Sequence, residues 1–565
     1  MISFGSGWGK FNGENTLKNP LSIVSNKLSF RPLRSDNYQR GGGRPSYDQW
    51  FRGDISLFGG IEYLIPNVNG LKLKLEYDPL NYLNFSGDSF YDLDYELREK
   101  QSNINLGLSY PWNKHLNLEL SYIKGNTLNL SFSYGFTFSD NKNNKPKFLP
   151  NTKIRKNPNK SKKVFYEDLL SNLNANRLFL QTSSLDNRGK LDISISTSEY
   201  RNAIRSSSYT SSIAQKVANE HDINLNLINV SHINAGIELN NISYIAKYHN
   251  DTDSTPLELK IRNTKLGPGT TGDNIDDEFQ PKVNFPVIFS SLRPSLVSYI
   301  GSPEKFYFGG LNLDHNSEIQ FSRNLLLTSE ISFPVGGGLS DIPYNPDSVM
   351  QHVRTDLSKY LEEDDPHINR MQLDYLWSPY TDVYSKISGG ILEPMFGGFG
   401  GEVLYKPFNK NYSVSYEIFY VKQRAFDKRF KFQEYETTTG HLNFSYRFRA
   451  GIESNLSYGR YLAKDDGFTF DLSRTTRSGF KAGIFFTRTN VSAETFGEGS
   501  FDKGFYFQIP LDLLMNQYNG NYSSFKVSPL TRDGGAKLIH GKDLRGLIYN
   551  STMYELSRQW DGLID

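Results

Sequence analysis

The stretch "HLNLELSYIKGNTLNLSFSYGFTF", residues 115–138, alternates between apolar and polar side chains almost throughout. Apolar residues recur at every second position on both sides of Gly125 and Asn126, and mostly Asn, Ser, Glu and Thr stand between them. A period of two is typical of a strand with one apolar and one polar face, and Gly-Asn between two such runs indicates a hairpin. The stretch therefore predicts two antiparallel strands whose apolar face meets either a protein core or lipid.

The same alternation returns along most of the chain. Strand-like runs fill residues 1–142, between long polar loops at 31–50 and 79–100, and return over 285–530, where a polar insertion at 341–366 interrupts them. Short turns that alternate with long loops are typical of outer-membrane barrels, although a soluble β-sandwich can show the same rhythm. Nearly every run is half polar, which favours a barrel with a wet lumen over a large soluble β architecture.

Four further segments predict strands, a linker and helices. "LSIVSNKLSF", residues 21–30, is predicted as one of the strands. A basic linker rich in Asn and Pro covers 140–163, and a second helical pattern covers 203–221. Between them, apolar residues recur at helical spacing: Phe165, Leu169, Leu170 and Leu173. Strand-like runs lie between and after these helices, so residues 160–250 are predicted to form a small α+β domain.

Bulk composition excludes several classes of protein. The 565 residues include 63 Lys and Arg against 61 Asp and Glu, and this balance argues against a dedicated nucleic-acid binder. The chain has no cysteine, which excludes disulfides, zinc–thiolate sites and cysteine nucleophiles. No apolar run is long enough for a transmembrane helix, so a membrane-spanning fold would have to use strands.

Motifs for cofactors or metals are weak. "GPGTTG", residues 267–272, matches G-x-G-x-x-G, but no helix pattern follows it, so a loop is predicted there. The acidic clusters at 273–278 and 362–365 lack the offsets of a calcium loop, and the nine histidines show no zinc spacing. We therefore predict no catalytic residue, no cofactor and no metal. A surface polysaccharide-modifying enzyme is the minor alternative, because the separation of carboxylates cannot be read from sequence.

Polar residues within the predicted barrel strands and loops are candidates for the lumen. They are Arg354, Asp356, Tyr360, Glu402, His441, Arg460, Asp465, Arg474, Glu498, Asp502 and Lys503. In the functional interpretation they bind sugar hydroxyls. In the structural interpretation, which we favour, they form ion-paired loops that plug or stiffen the barrel, since buried charges must be paired.

Four long segments carry a resemblance to a known family: "GHLNFSYRF" (440–448), "GRYLAKDDGFTFDLSR" (459–474), "TNVSAETFGEGSFDKGFYFQIPLDLL" (489–514) and "SPLTRDGGAKL" (528–538). They resemble the YjbH family of bacterial outer-membrane proteins, which is tied to the export of exopolysaccharide and capsule, and shorter similar segments begin at "GWGK" (7–10). The resemblance implies two outer-membrane barrels in one chain, a periplasmic α+β domain between them, and a role in moving or assembling surface polysaccharide.

Together these observations predict a mainly β protein with antiparallel transmembrane barrels in tandem. Residues 1–142 would supply the first, partial barrel; 143–255 the linker, the α+β domain and a returning strand; 256–530 the second barrel; and 531–565 a C-terminal tail with a short helix. Family members carry a signal sequence and further strands before the "GWGK" segment, so we expect Met1 to lie downstream of the natural start.

The expected location is the bacterial outer membrane, and the expected partners are the lipid bilayer, polysaccharide, and periplasmic or lipoprotein components of an export system, with no nucleic acid. The expected function is non-catalytic support of exopolysaccharide or capsule secretion. The alternative is a structural or adhesive envelope scaffold with a plugged lumen.

Overall fold

The computed structural model divides the chain into two compact units. One contains residues 1–138, 300–307 and 498–500, and the other contains 139–299, 308–497 and 501–565. The described residues are 1–8, 16–31, 50–68, 70–80, 100–113, 115–135, 161–249, 255–270, 278–300, 307–337, 348–361, 365–496, 501–515, 517–528 and 533–563. Glu498 lies outside them. No helix in these ranges is long and apolar enough to cross a membrane.

The first unit is a seven-stranded antiparallel sheet. Its strands are β1 Ile2–Trp8, β2 Thr16–Leu17, β3 Ile55–Leu64, β4 Lys72–Tyr77, β5 Ile104–Pro111, β6 Leu116–Ile123 and β7 Thr127–Tyr134. They follow the order β1-β3-β4-β5-β6-β7, and β2 pairs with β3. The predicted hairpin is present as β6 and β7, with Leu120 opposite Leu130 and left-handed backbone at Lys124 and Gly125.

The two faces of that hairpin differ as the alternation predicts. On the apolar face, Leu128, Leu130 and Phe132 are between 70% and 77% exposed, so no described part of the chain covers them. On the polar face, Glu119 pairs with Lys74 at 2.7 Å. The hairpin therefore separates an uncovered apolar face from an ion-paired polar one.

The strand predicted over 21–30 is wrong. Two turns of 3-10 helix, Pro20–Ile23 and Asn26–Leu28, occupy this stretch. The side chains of Asn19 and Ser25 accept hydrogen bonds from the amides two residues further on, which starts each turn. Short polar side chains that bond to the local backbone offer it an alternative to a strand ladder.

The α+β domain contains a five-stranded sheet in the order β12-β11-β10-β9-β8. Its elements are α1 Lys162–Ala175, β8 Phe179–Leu185, β9 Lys190–Ser196, α2 Ala203–Glu220, β10 Leu227–Asn234, β11 Ile237–Ile245, α3 Leu257–Arg262 and β12 Thr264–Pro268. Strands β9 and β10 are parallel, and α2 is the crossover that this pairing requires. Phe165, Leu169 and Leu173 of α1 are fully buried against the sheet.

The domain continues past the predicted boundary at residue 255. Strand β12 pairs antiparallel with β11, and the backbone of Phe279 pairs with Ser183 on β8. Glu278 accepts a hydrogen bond of 2.6 Å from the Tyr166 hydroxyl on α1. Residues 264–268, 278 and 279, which lie beyond residue 255, therefore pair with elements of the α+β domain.

The rest of the second unit is a thirteen-stranded sheet in which each strand pairs with the next along the chain. Its strands are β13 Val287–Ile300, β14 Tyr307–Gln320, β15 Leu325–Gly337, β16 His367–Tyr380, β17 Val383–Ile391, β18 Phe396–Tyr405, β19 Tyr412–Arg424, β20 Phe432–Arg447, β21 Ile452–Arg460, β22 Asp466–Thr475, β23 Lys481–Thr489, β24 Asp502–Pro510 and β25 Tyr522–Val527. Short helices α4 Leu357–Leu361 and α5 Ala493–Phe496 lie in its connections. Over the described strands no pairing joins β13 to β25, so the fold shown is mainly β with antiparallel sheets.

The two ends of the large sheet have different neighbours. At one end, called the domain end, the turns between strands contact the α+β domain: Arg201 pairs with Asp512 at 2.6 Å, and the Gly520 amide donates to the Ser198 carbonyl. The opposite end, called the loop end, carries the long connections after β15 and β23. The strands run between these two ends.

Residues 533–563, called the C-terminal segment, contain no strand. They form helices α6 Leu544–Ile548 and α7 Met553–Leu556 and the 3-10 turns Tyr549–Ser551 and Trp560–Leu563. In place of the one short helix predicted in this tail, the segment thus has two short helices and two 3-10 turns. Its described contacts begin at the loop end of the large sheet and finish in the α+β domain.

Candidate functional site: a polar sheet face and the C-terminal segment

One face of the large sheet, called the outer face, is apolar and uncovered. Side chains on this face are between 41% and 63% exposed, and they include Leu373, Tyr375, Ile387, Phe399, Val403, Tyr416, Ile418, Leu442, Phe444, Leu456, Tyr458, Ile484 and Phe505. Monomeric soluble proteins rarely expose a contiguous apolar area of this extent. The outer face therefore requires a partner or a non-aqueous solvent.

The opposite, inner face carries a row of four ionisable side chains, called the central row, across four adjacent strands. Lys386 on β17 lies opposite Glu402, Glu402 opposite Glu417, and Glu417 opposite His441 on β20. Each of these four residues directly precedes an outer-face residue in the sequence. Because successive side chains along a strand point to opposite faces, the four lie on the inner face. Lys386, Glu402 and His441 are at most 4% exposed. Ionisable groups buried to this degree need charged or hydrogen-bonding partners.

The C-terminal segment supplies those partners. The Lys386 ammonium donates to His540 Nδ1 at 3.2 Å and to the Lys542 carbonyl at 2.6 Å. Because Nδ1 accepts, the imidazole proton is on Nε2, which donates to Glu417 at 2.8 Å. His441 Nδ1 lies 3.3 Å from the other oxygen of Glu417. The central row and the segment thus form one hydrogen-bonded network.

Aromatic and backbone contacts extend this network on both sides. The Phe419 ring, on the inner face of β19, stacks on His540 with 4.5 Å between centroids. The Leu544 amide at the start of α6 donates to Glu402 at 3.1 Å. These contacts fix the segment against the middle of the sheet.

At the loop end, one carboxylate holds the start of the segment. Asp533, 2% exposed, accepts hydrogen bonds from the amides of Val353, Arg354 and Thr355 at 2.8 to 3.1 Å. The hydroxyls of Ser348 and Thr355 donate to its other oxygen at 2.6 Å. Asp533 therefore joins the segment to the polar insertion that precedes β16.

A bidentate ion pair reinforces this junction. The Arg354 guanidinium donates to both oxygens of Glu393 at 2.7 and 3.0 Å, and also to the Lys537 carbonyl. Glu393 accepts from the Ile539 amide at 2.9 Å as well. Bidentate pairs fix geometry as well as charge, so this pair orients the first residues of the segment.

A second buried network lies at the domain end. Arg447 pairs with Glu453 at 2.6 Å and with Glu555 of the segment at 3.1 Å. The Tyr549 ring lies 4.3 Å from the guanidinium carbon, within the range of a cation–π contact. A cavity of about 20 Å³ remains among these side chains, room for little more than one water molecule. The segment thus fills this part of the inner face.

The end of the segment packs into the α+β domain. Leu556 and Leu563 join the buried core of that domain, with Trp560 packed against it. The Gln559 side chain accepts from the Ala203 amide at 2.8 Å at the start of α2, and its carbonyl accepts from Asn202. The C-terminal segment therefore links the loop end of the sheet to the α+β domain along the inner face.

A match to a protein-family model decides the family. The YjbH model, described as "Exopolysaccharide biosynthesis protein YbjH", matches residues 1–550. The chain belongs to the YjbH family. It is also 30% identical over 566 residues to the "Uncharacterized lipoprotein YjbH" of Escherichia coli (strain K12), an alignment that covers 95% of this chain and 76% of that protein. The predicted YjbH resemblance is confirmed, and the family is named for exopolysaccharide biosynthesis.

Several of the predicted polar residues meet in this YjbH family member. Arg354, Glu402 and His441 belong to the networks above, and Asp465 accepts from the Gly535 amide at 2.8 Å. Tyr360 is buried beside them, where its hydroxyl donates to the Arg424 carbonyl at 2.6 Å. These residues lie in contacts that hold loops and the C-terminal segment to the sheet.

Others lie elsewhere. Asp356 pairs within the insertion, with His352 and Lys359 at 3.1 Å. Asp502 is on the inner face of β24, beside Thr487 of β23.

Arg460, Arg474 and Lys503 are placed differently, because their side chains lie on the outer face of the sheet. Each shares its face with an exposed apolar neighbour two residues away along the strand, and that face is the outer one. Arg460 is also a half-exposed partner of Asp466, at 3.0 Å. Lys503 lies over the Phe501 ring. The segments that contain these three residues are polar, which led to their assignment to the lumen, but the strand register places their side chains on the outer face.

Sequence reasoning missed other members of the networks: Lys386, Glu393, Glu417, Arg447, Glu453, Asp533 and His540. The strand residues among them could be found from the sequence, since each is charged and occupies a polar position of the alternating pattern. The residues of the C-terminal segment carry none, because their partners are distant in sequence and the segment has no periodic pattern.

A chain of polar side chains in the α+β domain resembles a nucleophilic triad. Ser206 Oγ lies 2.7 Å from His232 Nε2, and His232 Nδ1 lies 2.8 Å from Asn240 Oδ1. Burial lowers the pKa of His232 to about 4, so the ring is neutral at ordinary pH. Ser206 and Asn240 are completely buried between α2 and the sheet, out of reach of a substrate. Among the described residues, no group of three His, Asp or Glu is placed to hold a metal ion.

Proposed function

We propose that this protein is an outer-membrane β-barrel protein that supports the secretion or assembly of an exopolysaccharide, without catalysis of its own. One observation carries the proposal: the large sheet has an uncovered apolar outer face and a polar inner face wrapped around the C-terminal segment. Lipid outside and polar groups inside is the arrangement of an outer-membrane barrel. A soluble sandwich would bury the apolar face instead.

Closure of the large sheet is part of this proposal. Within the C-terminal segment, Lys542 pairs with Glu318 on β14, and His540 bonds to Glu417 on β19. Gly535 touches β23, where an added Cβ would lie 2.6 Å from Thr487 Cγ2. One narrow segment reaches strands near both edges, so the sheet curves around it. Closure by β13 and β25 would leave no open edge in the hydrocarbon layer.

Two similarities to known proteins support the proposed location and the class of polymer. The relative from Escherichia coli is named a lipoprotein, which supports a place in the cell envelope. The family is named for exopolysaccharide biosynthesis. Neither name specifies an outer-membrane barrel or capsule, and the two faces of the sheet support the barrel. By analogy with the family, the partners are the outer-membrane lipid, the polymer, and periplasmic or lipoprotein components of an export system.

Two features support a non-catalytic role. The ionisable groups of the central row are already bonded to one another and to the C-terminal segment, so none is poised to act on a bond in a substrate. The Ser206–His232 pair is enclosed in the α+β domain. A general acid or nucleophile must reach the reacting atoms. Incubation of the purified chain with the polymer should therefore yield no new reducing ends.

Deletion of the gene in the source bacterium tests the proposed function. Surface polysaccharide should fall while the amount made inside the cell is unchanged, and the wild-type gene on a plasmid should restore it. Unchanged surface polysaccharide in the deletion strain would overturn the proposal. Lower synthesis inside the cell would also contradict it, because that result places the protein before export.

An envelope scaffold with a permanently closed lumen is the second candidate. It is favoured by the ties that hold the C-terminal segment at Asp533, at Arg447 and in the α+β core. Conductance in planar bilayers separates the two, with the full chain compared to a chain that ends before Asp533. A pore that opens on removal of the segment and passes oligosaccharides favours export. A silent membrane in both cases favours the scaffold.

A further inference from the structure

The C-terminal segment packs most closely on β17 to β21, and the inner face of β22 to β25 is less covered. Phe485 on β23, with Asp471 and Tyr506 on the strands beside it, is only half-buried, and Lys526 on β25 is exposed. Strand register places all four on the inner face, because Ile484, Phe505 and the other residues adjacent in sequence are exposed on the outer face. We call these four residues the aromatic strip.

Two glycines let the rings of the strip lie flat on the sheet. Gly504 pairs directly with Phe485, and Gly483 pairs directly with Tyr506. A Cβ at Gly504 would lie 2.7 Å from the Phe485 ring, and one at Gly483 would lie 2.5 Å from the Tyr506 ring. Each ring therefore lies across the glycine of the neighbouring strand, and the ammonium of a flexible lysine lies over it, Lys526 over Phe485 and Lys481 over Tyr506. Aromatic residues paired with glycine across two strands are a known way to pack such rings.

Polar groups flank both rings. The Tyr506 hydroxyl donates to Asp471 at 3.0 Å, which leaves the second carboxylate oxygen of Asp471 as an acceptor. The Lys526 ammonium lies 4.7 Å from the centroid of Phe485 on a flexible stem. The strip thus combines two aromatic faces, an acceptor and a donor on one side of the interior.

We infer that the aromatic strip binds sugar units of a polysaccharide chain. The C–H-rich face of a sugar ring packs on the electron-rich face of an aromatic ring, and its hydroxyls need donors and acceptors at the rim. Phe485 and Tyr506 are diagonal neighbours on adjacent strands, roughly 7 Å apart, so one chain can contact both. This inference rests on the proposed function for the identity of the polymer, and it adds the residues that contact it.

The test compares inner and outer aromatic residues at adjacent positions. The full chain in lipid nanodiscs is titrated with oligosaccharides prepared by mild hydrolysis of the surface polysaccharide of the source bacterium. Phe485→Leu and Tyr506→Leu should each weaken binding about tenfold, because each removes one ring face from the contact. Phe486→Leu and Phe505→Leu, which alter the outer face, should bind like the wild type.

Circular dichroism and electrophoretic mobility of heated and unheated samples check that each variant is folded. If a Leu variant fails that check, Asp471→Asn keeps both rings and should weaken binding about threefold. Equal binding by inner and outer variants would overturn the inference. No binding by the wild type, together with lower surface polysaccharide in the deletion strain, would remove the aromatic strip and leave the proposed function standing. Weaker binding by Phe485→Leu and Tyr506→Leu, together with unchanged surface polysaccharide in the deletion strain, would support the aromatic strip and overturn the proposed function.

Discussion

Asp533→Ala should free the start of the C-terminal segment from the loop end. The substitution removes the acceptor for the amides of Val353, Arg354 and Thr355. Val353 and Thr355 are 1% and 3% exposed, so water does not readily replace the carboxylate there. A buried amide without a partner costs about 1–3 kcal/mol, and at about 1.5–2 kcal/mol each, near the middle of that range, the two together cost about 3–4 kcal/mol. Asn at this position keeps one acceptor oxygen and should cost about 1 kcal/mol.

Hydrogen exchange of backbone amides on the full chain measures this cost locally. A loss of about 3–4 kcal/mol should speed exchange over residues 533–542 about hundredfold to thousandfold. Asp365→Ala is the matched control, because its ion pair with Arg429 at the same end joins side chains 67% and 52% exposed. Exposed pairs contribute under about 1 kcal/mol, so Asp365→Ala should change exchange over residues 533–542 little. Exchange over 533–542 within threefold of the wild type in Asp533→Ala would refute the reasoning.

Three further outcomes are expected. Glu417→Ala removes the acceptor of His540 and the carboxylate partner of His441 and Lys537, and it should destabilise the chain by about 3–5 kcal/mol in thermal unfolding, while Glu436→Ala, in a half-exposed pair with Lys422, should cost under about 1 kcal/mol. Leu442→Arg should cost about 2–4 kcal/mol in a bilayer, whereas the same change at the exposed Leu259 of α3 should cost little in urea titrations. The pKa of His232 is lowered from 6.5 to about 4, so the unfolded α+β domain binds an extra proton between these values. This term should lower the stability of that domain by about 2–3 kcal/mol from pH 7 to pH 4.5. Burial also lowers the pKa of His249 in the same domain to about 4, so His232→Gln should reduce the total loss by about 2–3 kcal/mol, without abolishing it, when exchange in β10 is followed at both pH values.

Strand alternation predicted much of the fold because it is a local signal. The hairpin of β6 and β7 and the helices α1 and α2 follow from period-two and helical spacing within a few residues. The stretch at 21–30 departs from its pattern because Asn19 and Ser25 bond to the nearby backbone and start 3-10 turns. Hydrogen bonds between a side chain and the nearby backbone outweigh apolar alternation where the sequence pattern specifies no neighbouring strand.

The candidate site was less predictable because it depends on register and on distant pairing. Glu402 and His441 were found as polar residues in alternating runs, but Arg460 and Arg474 in similar runs face outward. Nothing in the residues around His540 or Asp533 indicates that they bond to groups more than a hundred positions away, Glu417 for His540 and the Val353 amide for Asp533. Those contacts arise only when the large sheet has formed and curved.

The outer face of the large sheet is the most direct test of the account. The chain has no cysteine, so single cysteines at Leu442, Asn443, Phe444 and Ser445 of β20 can each carry a spin label in the full chain in nanodiscs. Collision rates with oxygen, which concentrates in lipid, and with a water-soluble nickel chelate report the surroundings of each label. If lipid covers the outer face, oxygen accessibility is high and nickel accessibility low at 442 and 444, and the balance of the two is the opposite at 443 and 445. Equal nickel accessibility at all four positions would contradict the account.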